Sequence, residues 1–161
     1  MRITETEIAM MVGALTRTSE KYRYRAYRQV LEENGLKFEE KLVIKTGYSI
    51  EDSKQAALAL LKSPHRPTAI FAYFDSLAIG VYQAAKELGL KIPDDLSVVG
   101  FDNTILATIV DPPLTTIAQP IDEMARQVME LLVREIDGEK KTKQRVIFPP
   151  ELIVRQSTAA I

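Results

Sequence analysis

The chain has 161 residues, the size of one domain with a single hydrophobic core. Its 21 Lys and Arg residues nearly cancel its 22 Asp and Glu residues, which excludes a strongly basic surface for nucleic acid. Cysteine is absent and there is one histidine, so disulfides, thiolate chemistry and His-based metal sites are excluded. The N-terminal stretch lacks signal-peptide features and no run is long enough to span a membrane, so we expect a cytoplasmic protein without a cofactor.

Apolar runs alternate with helical patterns along the first hundred residues. Gly13 ends the first apolar run, and Gly35 and Gly89 each end a helical pattern. Ser49 and Asp52 together form a helix start signal. The predicted elements are a strand over 7–13, a helix over 18–35, a strand over 41–47, a helix from Ser49 to about Lys62, a strand over 68–74, a helix over 76–88 and a strand over 96–101.

The remaining third of the chain is less regular. Residues 102–113 lack a long helical pattern and are predicted to form a loop with about one helical turn. A strand over 114–119 precedes a helix over 121–138, and the tail is predicted to be two extended pieces hinged at Pro149-Pro150. The apolar stripe of the last helix contains Ile121, Met124, Ala125, Val128 and Leu132.

Strands that alternate with amphipathic helices predict an α/β domain with three layers, in which helices cover both faces of a mostly parallel sheet. In such a sheet, ligands bind along the edge formed by the carboxyl ends of the strands. Asp75 and Asp102 each follow a Phe at the end of a predicted strand. Both aspartates are therefore expected at the ligand-binding edge.

An arginine is expected at the same edge. Helical spacing points positions 23, 26, 27, 30 and 31 toward the sheet, and Arg23 lies near the helix start. Guanidinium donors together with carboxylate acceptors suit adjacent hydroxyl groups, as in a sugar or related polyol. A structural interpretation stays open, in which Asp75 caps the next helix and Arg23 pairs with Asp75 or Asp102.

A second candidate site precedes the first helix. Thr16, Thr18 and Ser19 lie in the loop after the first strand, where backbone N–H groups at a helix N-terminus could hold a phosphate. This pattern favours a flavodoxin-like phosphate- or nucleotide-binding protein. The loop lacks the repeated glycines of a dinucleotide or P-loop fingerprint, so the signal is weak.

The order and spacing of these segments resemble the effector-binding region of the lactose-repressor/galactose-repressor (LacI/GalR) family of transcription regulators. The D-x-x-A-x-G pattern that begins at Asp75 is followed by a G-x-x-I-P-x-D-x-S-V-V-G-F-D-N pattern. The matching pieces are "IAMMVG", "RYRAYRQVLEENG", "RPTAIFAYFDSLAIGVYQAAKELGLKIPDDLSVVGFDNT", "PPLTTIAQP" and "LIVRQST".

The resemblance implies one lobe of a periplasmic-binding-protein-like clamp that senses a sugar or other small effector and is not an enzyme. It implies that Arg23, Asp75 and Asp102 contact the effector, together with Phe74 at a position where several sugar-binding members carry a polar residue. Ala26 replaces the usual glycine of the family's R-x-x-G-Y pattern. It also implies a homodimer, with its interface groups expected at Ile79, Tyr82 and Ile105.

The resemblance further implies that the DNA-binding headpiece and most of the first lobe are absent, so the chain itself is not expected to contact DNA or a membrane. In relatives the segment over 114–138 crosses to that first lobe. We expect it either to fold back, giving a flavodoxin-like strand order 2-1-3-4-5, or to exchange with a second copy. A fragment engineered as a half-clamp scaffold without activity is the remaining alternative.

Overall fold

A computed structural model describes residues 7–138 and 145–159. Residues 1–6, part of the stretch assessed for a signal peptide, lie outside these ranges. The elements in chain order are β1 (Ile8–Val12), α1 (Thr18–Glu33), β2 (Val43–Lys45), α2 (Ile50–Leu61), β3 (Ala69–Ala72), α3 (Asp75–Glu87), β4 (Ser97–Phe101), α4 (Leu106–Ile109), β5 (Thr115–Ala118), α5 (Ile121–Ile136) and β6 (Glu151–Ile153).

The strands form a single sheet in the order β2-β1-β3-β4-β5-β6. The first five strands are parallel, with Met10 opposite Val43 and Phe71, and Val99 opposite Phe71 and Thr115. β6 pairs with β5 in the antiparallel direction. The predicted α/β class and the order 2-1-3-4-5 are therefore confirmed, and β6 adds an antiparallel edge.

The core lies on both faces of the central strand β1. Its residues Ala9 to Val12 have no exposed surface, as expected for a parallel strand that is covered by helices on both sides. Right-handed crossovers place α1 on one face and α2 with α3 on the other, because the chain reverses its direction across the sheet after β2. The carboxyl ends of β1, β3 and β4 therefore meet at one edge, which we call the carboxyl edge.

Helix α1 is rotated relative to the predicted orientation. Tyr27 and Leu31 are buried as expected, but Ala26 is exposed and Val30 is 56% exposed. Glu20 is buried instead. The prediction for Ala26 and Val30 was wrong: the inward face of the helix includes Glu20, which accepts hydrogen bonds, and Arg23, which donates one, so polar contacts as well as hydrophobicity are made on this face.

Helix α2 begins as the sequence predicts. The Ser49 hydroxyl accepts a hydrogen bond from the Asp52 backbone N–H at 3.0 Å and donates one to the Asp52 carboxylate at 2.7 Å. Such a side-chain cap satisfies an N–H group that has no partner within the helix. The predicted start signal is confirmed.

Helices α2 and α3 pack closely at Gly80. A Cβ atom at this position would lie 1.8 Å from Ser53 Oγ and 2.6 Å from both the Ile50 carbonyl oxygen and the Lys54 nitrogen. We expect Gly80→Ala to destabilise the protein by about 1–3 kcal/mol, because backbone atoms of α2 must move to admit the methyl group. Urea unfolding of both proteins measures this difference.

The variant Ser53→Ala provides a matched control for that prediction. It removes the hydroxyl nearest to the new methyl group but leaves the Ile50 and Lys54 backbone atoms in place. In the double variant Ser53→Ala/Gly80→Ala only part of the lost stability should return. Full recovery would show that the helix backbones are not in the close contact described here.

The C-terminal tail returns to the sheet after α5. The Ser157 hydroxyl donates to the Val98 carbonyl oxygen at 2.6 Å and accepts from the Thr115 N–H at 2.8 Å. Arg155 donates to the Leu114 carbonyl oxygen at 2.7 Å. Of the two predicted extended pieces, the one after Pro149-Pro150 contains β6, whereas residues 145–150 form no regular element.

Helix α5 departs from the expected fold-back. β5 joins the sheet as predicted, but no residue of α5 is buried against the described part of the chain. Ile121, Val128 and Leu132 are each at least half exposed. The fold-back alternative was therefore wrong for the helix within the described residues, whereas the exchange with a second copy stays a prediction. Pro120 restricts the backbone of the short link between β5 and α5.

Within residues 7–138 and 145–159, no helix combines the length and the apolar composition needed to cross a bilayer. The same ranges contain no cluster of three or more acidic or histidine side chains arranged to hold a metal ion.

Candidate binding site at the carboxyl edge

Three charged residues predicted from distant parts of the chain lie near one another at the carboxyl edge. Asp102 and Arg23 are close enough for each charge to shift the pKa of the other. The Asp75 carboxylate also lies near enough to Asp102 to raise its pKa. Arg23 nevertheless forms no ion pair with either carboxylate. The alternative in which Arg23 is held by a direct ion pair is therefore wrong.

Arg23 is held by backbone and aromatic contacts. Its Nη1 donates to the Tyr73 carbonyl oxygen at 2.7 Å. The guanidinium carbon lies 3.3 Å from the centre of the Phe101 ring and 4.3 Å from that of Tyr73. Burial lowers the pKa of Arg23, and the Asp102 carboxylate opposes this shift. The guanidinium still stays charged at neutral pH, and most of its donors have no partner in the described chain.

Asp102 follows β4 directly and is half-buried. Its Oδ1 accepts a hydrogen bond from Gln119 Nε2 at 2.9 Å. Burial raises the pKa of Asp102, nearby Arg23 lowers it, and Asp75 raises it further. The backbone has φ of 104° at Asp102 and 50° at Asn103. Conformations of this kind cost free energy for residues other than glycine, and they concentrate at functional sites.

Asp75 lies beneath this edge and is 1% exposed. Its Oδ2 accepts hydrogen bonds from the Thr104 N–H at 2.7 Å and the Thr104 hydroxyl at 3.0 Å, and its Oδ1 accepts one from the Thr116 hydroxyl at 2.6 Å. The N-cap of α3 is Phe74, and no side chain caps this helix. The prediction that Asp75 caps α3 was wrong, because its carboxylate points across the sheet to β5 and to the loop after β4.

Aromatic rings line the edge between these charges. Phe74 is partly exposed, and its ring centre lies 4.3 Å from that of Tyr73 and 6.1 Å from that of Tyr48. We call Tyr48, Tyr73, Phe74 and Phe101 the aromatic wall. Tyr48 was missed in the sequence, although it lies in the loop after β2 and so at the carboxyl edge. The same rule that located the aspartates could have found it.

Glu20 was also missed, and it lies at the start of α1 with no exposed surface. Its carboxylate accepts hydrogen bonds from the Tyr48 hydroxyl and, at 3.0 Å, from the Arg17 backbone N–H. Burial raises the pKa of Glu20, but these hydrogen bonds and the Arg17 charge outweigh it, so the net pKa is lowered. A Cβ atom at Gly13 would displace the ends of the Glu20 and Tyr48 side chains, so the glycine leaves room for their hydrogen bond.

The predicted phosphate loop lies beside Glu20. Thr16 and Thr18 are exposed, and the Ser19 hydroxyl forms a 2.6 Å hydrogen bond with the Tyr73 hydroxyl. Ser19 therefore supports the aromatic wall. The first turn of α1 already holds a carboxylate of the chain itself, which leaves less positive potential there for an external anion.

Of the predicted dimer residues, Ile79 and Tyr82 lie on α3 and Ile105 lies in the loop after β4. Tyr82 is mostly buried, donates to the Pro112 carbonyl oxygen at 2.9 Å, and has a pKa raised by burial to about 12. Together with Ile79 it lines an open groove of about 570 Å³ between α3 and the segment after α4. Ile105 is 72% exposed. Ile79 and Tyr82 therefore share one groove, and Ile105 is a separate exposed apolar residue.

Known proteins share the sequence pattern and the fold of this chain. The model of a family described as "Periplasmic binding protein-like domain" matches residues 5–158. The HTH-type transcriptional regulator DegA of Bacillus subtilis (strain 168) is 46% identical over 161 residues, which is 100% of this chain and 48% of DegA. The chain thus spans about half the length of this curated relative.

Solved structures give the same result. A LacI family regulatory protein from Chloroflexus aggregans superposes with a TM-score of 0.88 at 30% identity, over 96% of this chain and 56% of that one. A complex of the transcriptional regulator CelR with cellobiose superposes with a TM-score of 0.86 at 28% identity, over 96% of this chain and 47% of that one. These relatives are regulators, in agreement with the prediction that the chain is not an enzyme. The chain therefore belongs to the periplasmic binding protein-like domain family, in the form found in LacI-family transcriptional regulators.

Proposed function

We propose that the chain is the effector-sensing lobe of a LacI-type regulator and that it binds a small polyhydroxylated molecule, such as a sugar, at the carboxyl edge. One observation carries this proposal. Arg23 has unused hydrogen-bond donors and Asp102 has an unused acceptor oxygen in the described chain, and the two lie at the same edge. A sugar hydroxyl both donates and accepts hydrogen bonds, so neighbouring hydroxyl groups satisfy both residues.

The aromatic wall supports the same ligand class. Binding sites for small molecules combine apolar and aromatic surface with a few polar groups that fix the orientation of the ligand. Phe74 and Tyr48 present partly exposed rings beside Arg23 and Asp102. The ring of a sugar has an apolar face that can pack on such side chains. The cellobiose complex of CelR agrees with this assignment.

In this proposal Asp75 has an indirect role. Its carboxylate oxygens already accept hydrogen bonds from Thr104 and Thr116, and it is almost fully buried. It holds the loop that carries Asp102 and Asn103, and so it positions the effector contacts. The family resemblance implied direct contact between Asp75 and the effector, and the hydrogen bonds described here support a positioning role instead.

We further propose that the whole regulator is a homodimer with a first lobe and a DNA-binding headpiece. The surface around Ile79, Tyr82 and Ile105 forms a homodimer contact, and the exposed apolar face of α5 packs against a first lobe in the two-lobed protein. DNA binding belongs to a headpiece outside the matched region, and the regulator acts in the cytoplasm. The share of DegA that the chain spans is consistent with this division.

A phosphate-binding function at Thr16, Thr18 and Ser19 has less support. The buried Glu20 carboxylate occupies the first turn of α1, and Ser19 is engaged with Tyr73. The scaffold alternative, in which the chain binds nothing, is decided by the experiment that follows.

Titration of the isotopically labelled chain with neutral mono- and disaccharides, followed by amide NMR, tests the proposal. We expect shifts at Arg23, Phe74 and Asp102 with a Kd on the order of 1 mM or weaker, because one lobe encloses only part of a ligand. Asp102→Asn keeps the shape but removes the charge, and it should weaken binding by about threefold to tenfold. No shifts up to about 100 mM, or shifts confined to Thr16 and Thr18, would contradict the proposal.

A further inference from the structure

The buried carboxylate of Glu20 bears on which effectors the site accepts. We propose that Glu20 makes the site selective for neutral polyols over phosphorylated or acidic ones, an inference that rests on the function proposed above. It follows from three features of the carboxyl edge: the location of Glu20 at the start of α1, the groups that hold it, and the way it engages Arg17 and Tyr48.

Glu20 occupies a place that would otherwise favour anions. Helix N-termini bind phosphate and carboxylate groups through unpaired N–H groups and the helix dipole. Here the Glu20 carboxylate itself accepts the Arg17 N–H at 3.0 Å, and no part of Glu20 is exposed. Its lowered pKa keeps it charged at neutral pH. A ligand anion at this end of the edge would face a fixed negative charge of the protein.

Glu20 also engages the nearby cation. The Arg17 guanidinium lies over the Tyr48 ring, 4.5 Å from its centre, and its charge acts on Glu20. Arg17 therefore balances the buried carboxylate and is less available to an incoming anion. The Asp102 carboxylate likewise acts on Arg23, although the two form no ion pair. Each arginine thus has a carboxylate nearby that opposes the approach of a phosphate.

The contact between Glu20 and Tyr48 also holds an uncharged aromatic ring at the carboxyl edge. The hydroxyl of Tyr48 donates to Glu20, which fixes the ring 6.1 Å from that of Phe74. A ring held in this way presents its face to a ligand without losing further conformational freedom on binding. Glu20 thus acts as a positioning residue for Tyr48 and as a fixed charge against anions.

The variant Glu20→Gln tests the charge while keeping the size of the side chain and an oxygen that can accept from Tyr48. Each protein is titrated with glucose, glucose 6-phosphate and gluconate, using amide NMR. The unmodified chain should bind glucose at least about tenfold more tightly than either anion. In Glu20→Gln the ratio should move toward the anions by about tenfold, as expected when one buried charge is removed.

Glu33→Gln is the matched control. Glu33 lies at the far end of the same helix and is exposed, so its charge is screened from the site and the ratio should not change. Tighter binding of the anions by the unmodified chain, or an unchanged ratio in Glu20→Gln, would overturn the selectivity but leave the proposed function in place. Absence of binding by all three ligands and by the neutral mono- and disaccharides of the first titration would overturn both.

Discussion

Replacement of Asp75 by alanine is expected to destabilise the fold by about 3–4 kcal/mol. The change removes the acceptor of three hydrogen bonds, from the Thr104 N–H, the Thr104 hydroxyl and the Thr116 hydroxyl. Asp75 is 1% exposed, so the three donors lose their acceptor at a place away from bulk water. For a chain of this length the melting temperature should fall by about 6–16 °C, which calorimetry measures.

Asp75→Asn separates the lost hydrogen bonds from the lost volume. The amide oxygen can still accept from Thr104, and the amide nitrogen can donate to the Thr116 hydroxyl, which is itself able to accept. We therefore expect a smaller loss of about 1–2 kcal/mol. If alanine and asparagine cost the same, the orientation of the carboxylate described here is wrong. A loss below about 1 kcal/mol for alanine would show that Asp75 is not the link between β5 and the loop after β4.

Replacement of Arg23 by alanine is expected to weaken sugar binding by about tenfold to a hundredfold. Hydrogen bonds from a charged group contribute about 1.5–3 kcal/mol, which corresponds to such a change in Kd. The NMR titration with the neutral sugar that binds the unmodified chain provides the measurement. The amide spectrum of the variant must show that the fold is intact, since Arg23 also packs on Phe101.

Arg23→Lys is the informative control. Lysine keeps the positive charge but lacks the flat fork that packs on Phe101 while donating to the Tyr73 carbonyl oxygen. We expect its affinity to lie closer to that of Arg23→Ala than to that of the unmodified chain. If lysine restores full binding, only the charge matters, and undiminished binding by Arg23→Ala would rule out Arg23 as an effector contact.

Local patterns were sufficient to predict most of the architecture. Apolar runs of strand length located the parallel strands, and the side-chain cap at Ser49 marked the start of α2. The edge rule for parallel sheets placed Arg23, Asp75 and Asp102 in one region, because this rule depends only on strand order and direction. These predictions needed no knowledge of contacts between distant side chains.

The errors have a common physical cause, which is that distant partners decide what a side chain does. Asp75 precedes a helix like an ordinary cap, and only the position of Thr116 on β5 shows where its carboxylate points. Glu20 looks like a surface residue until Tyr48, from another loop, donates to it. Helix α5 has a clear apolar stripe, but none of the residues that the structure describes covers it.

Asp75 is buried beneath the carboxyl edge and forms its hydrogen bonds within the protein, whereas the side chain of Phe74, the residue before it, is partly exposed. Two adjacent residues thus have different tasks: the buried side chain of Asp75 supports the fold, and the partly exposed side chain of Phe74 faces the ligand in the proposed site. Libraries randomised at Phe74, with Asp75 and Tyr48 kept, should therefore yield folded variants with altered ligand preference.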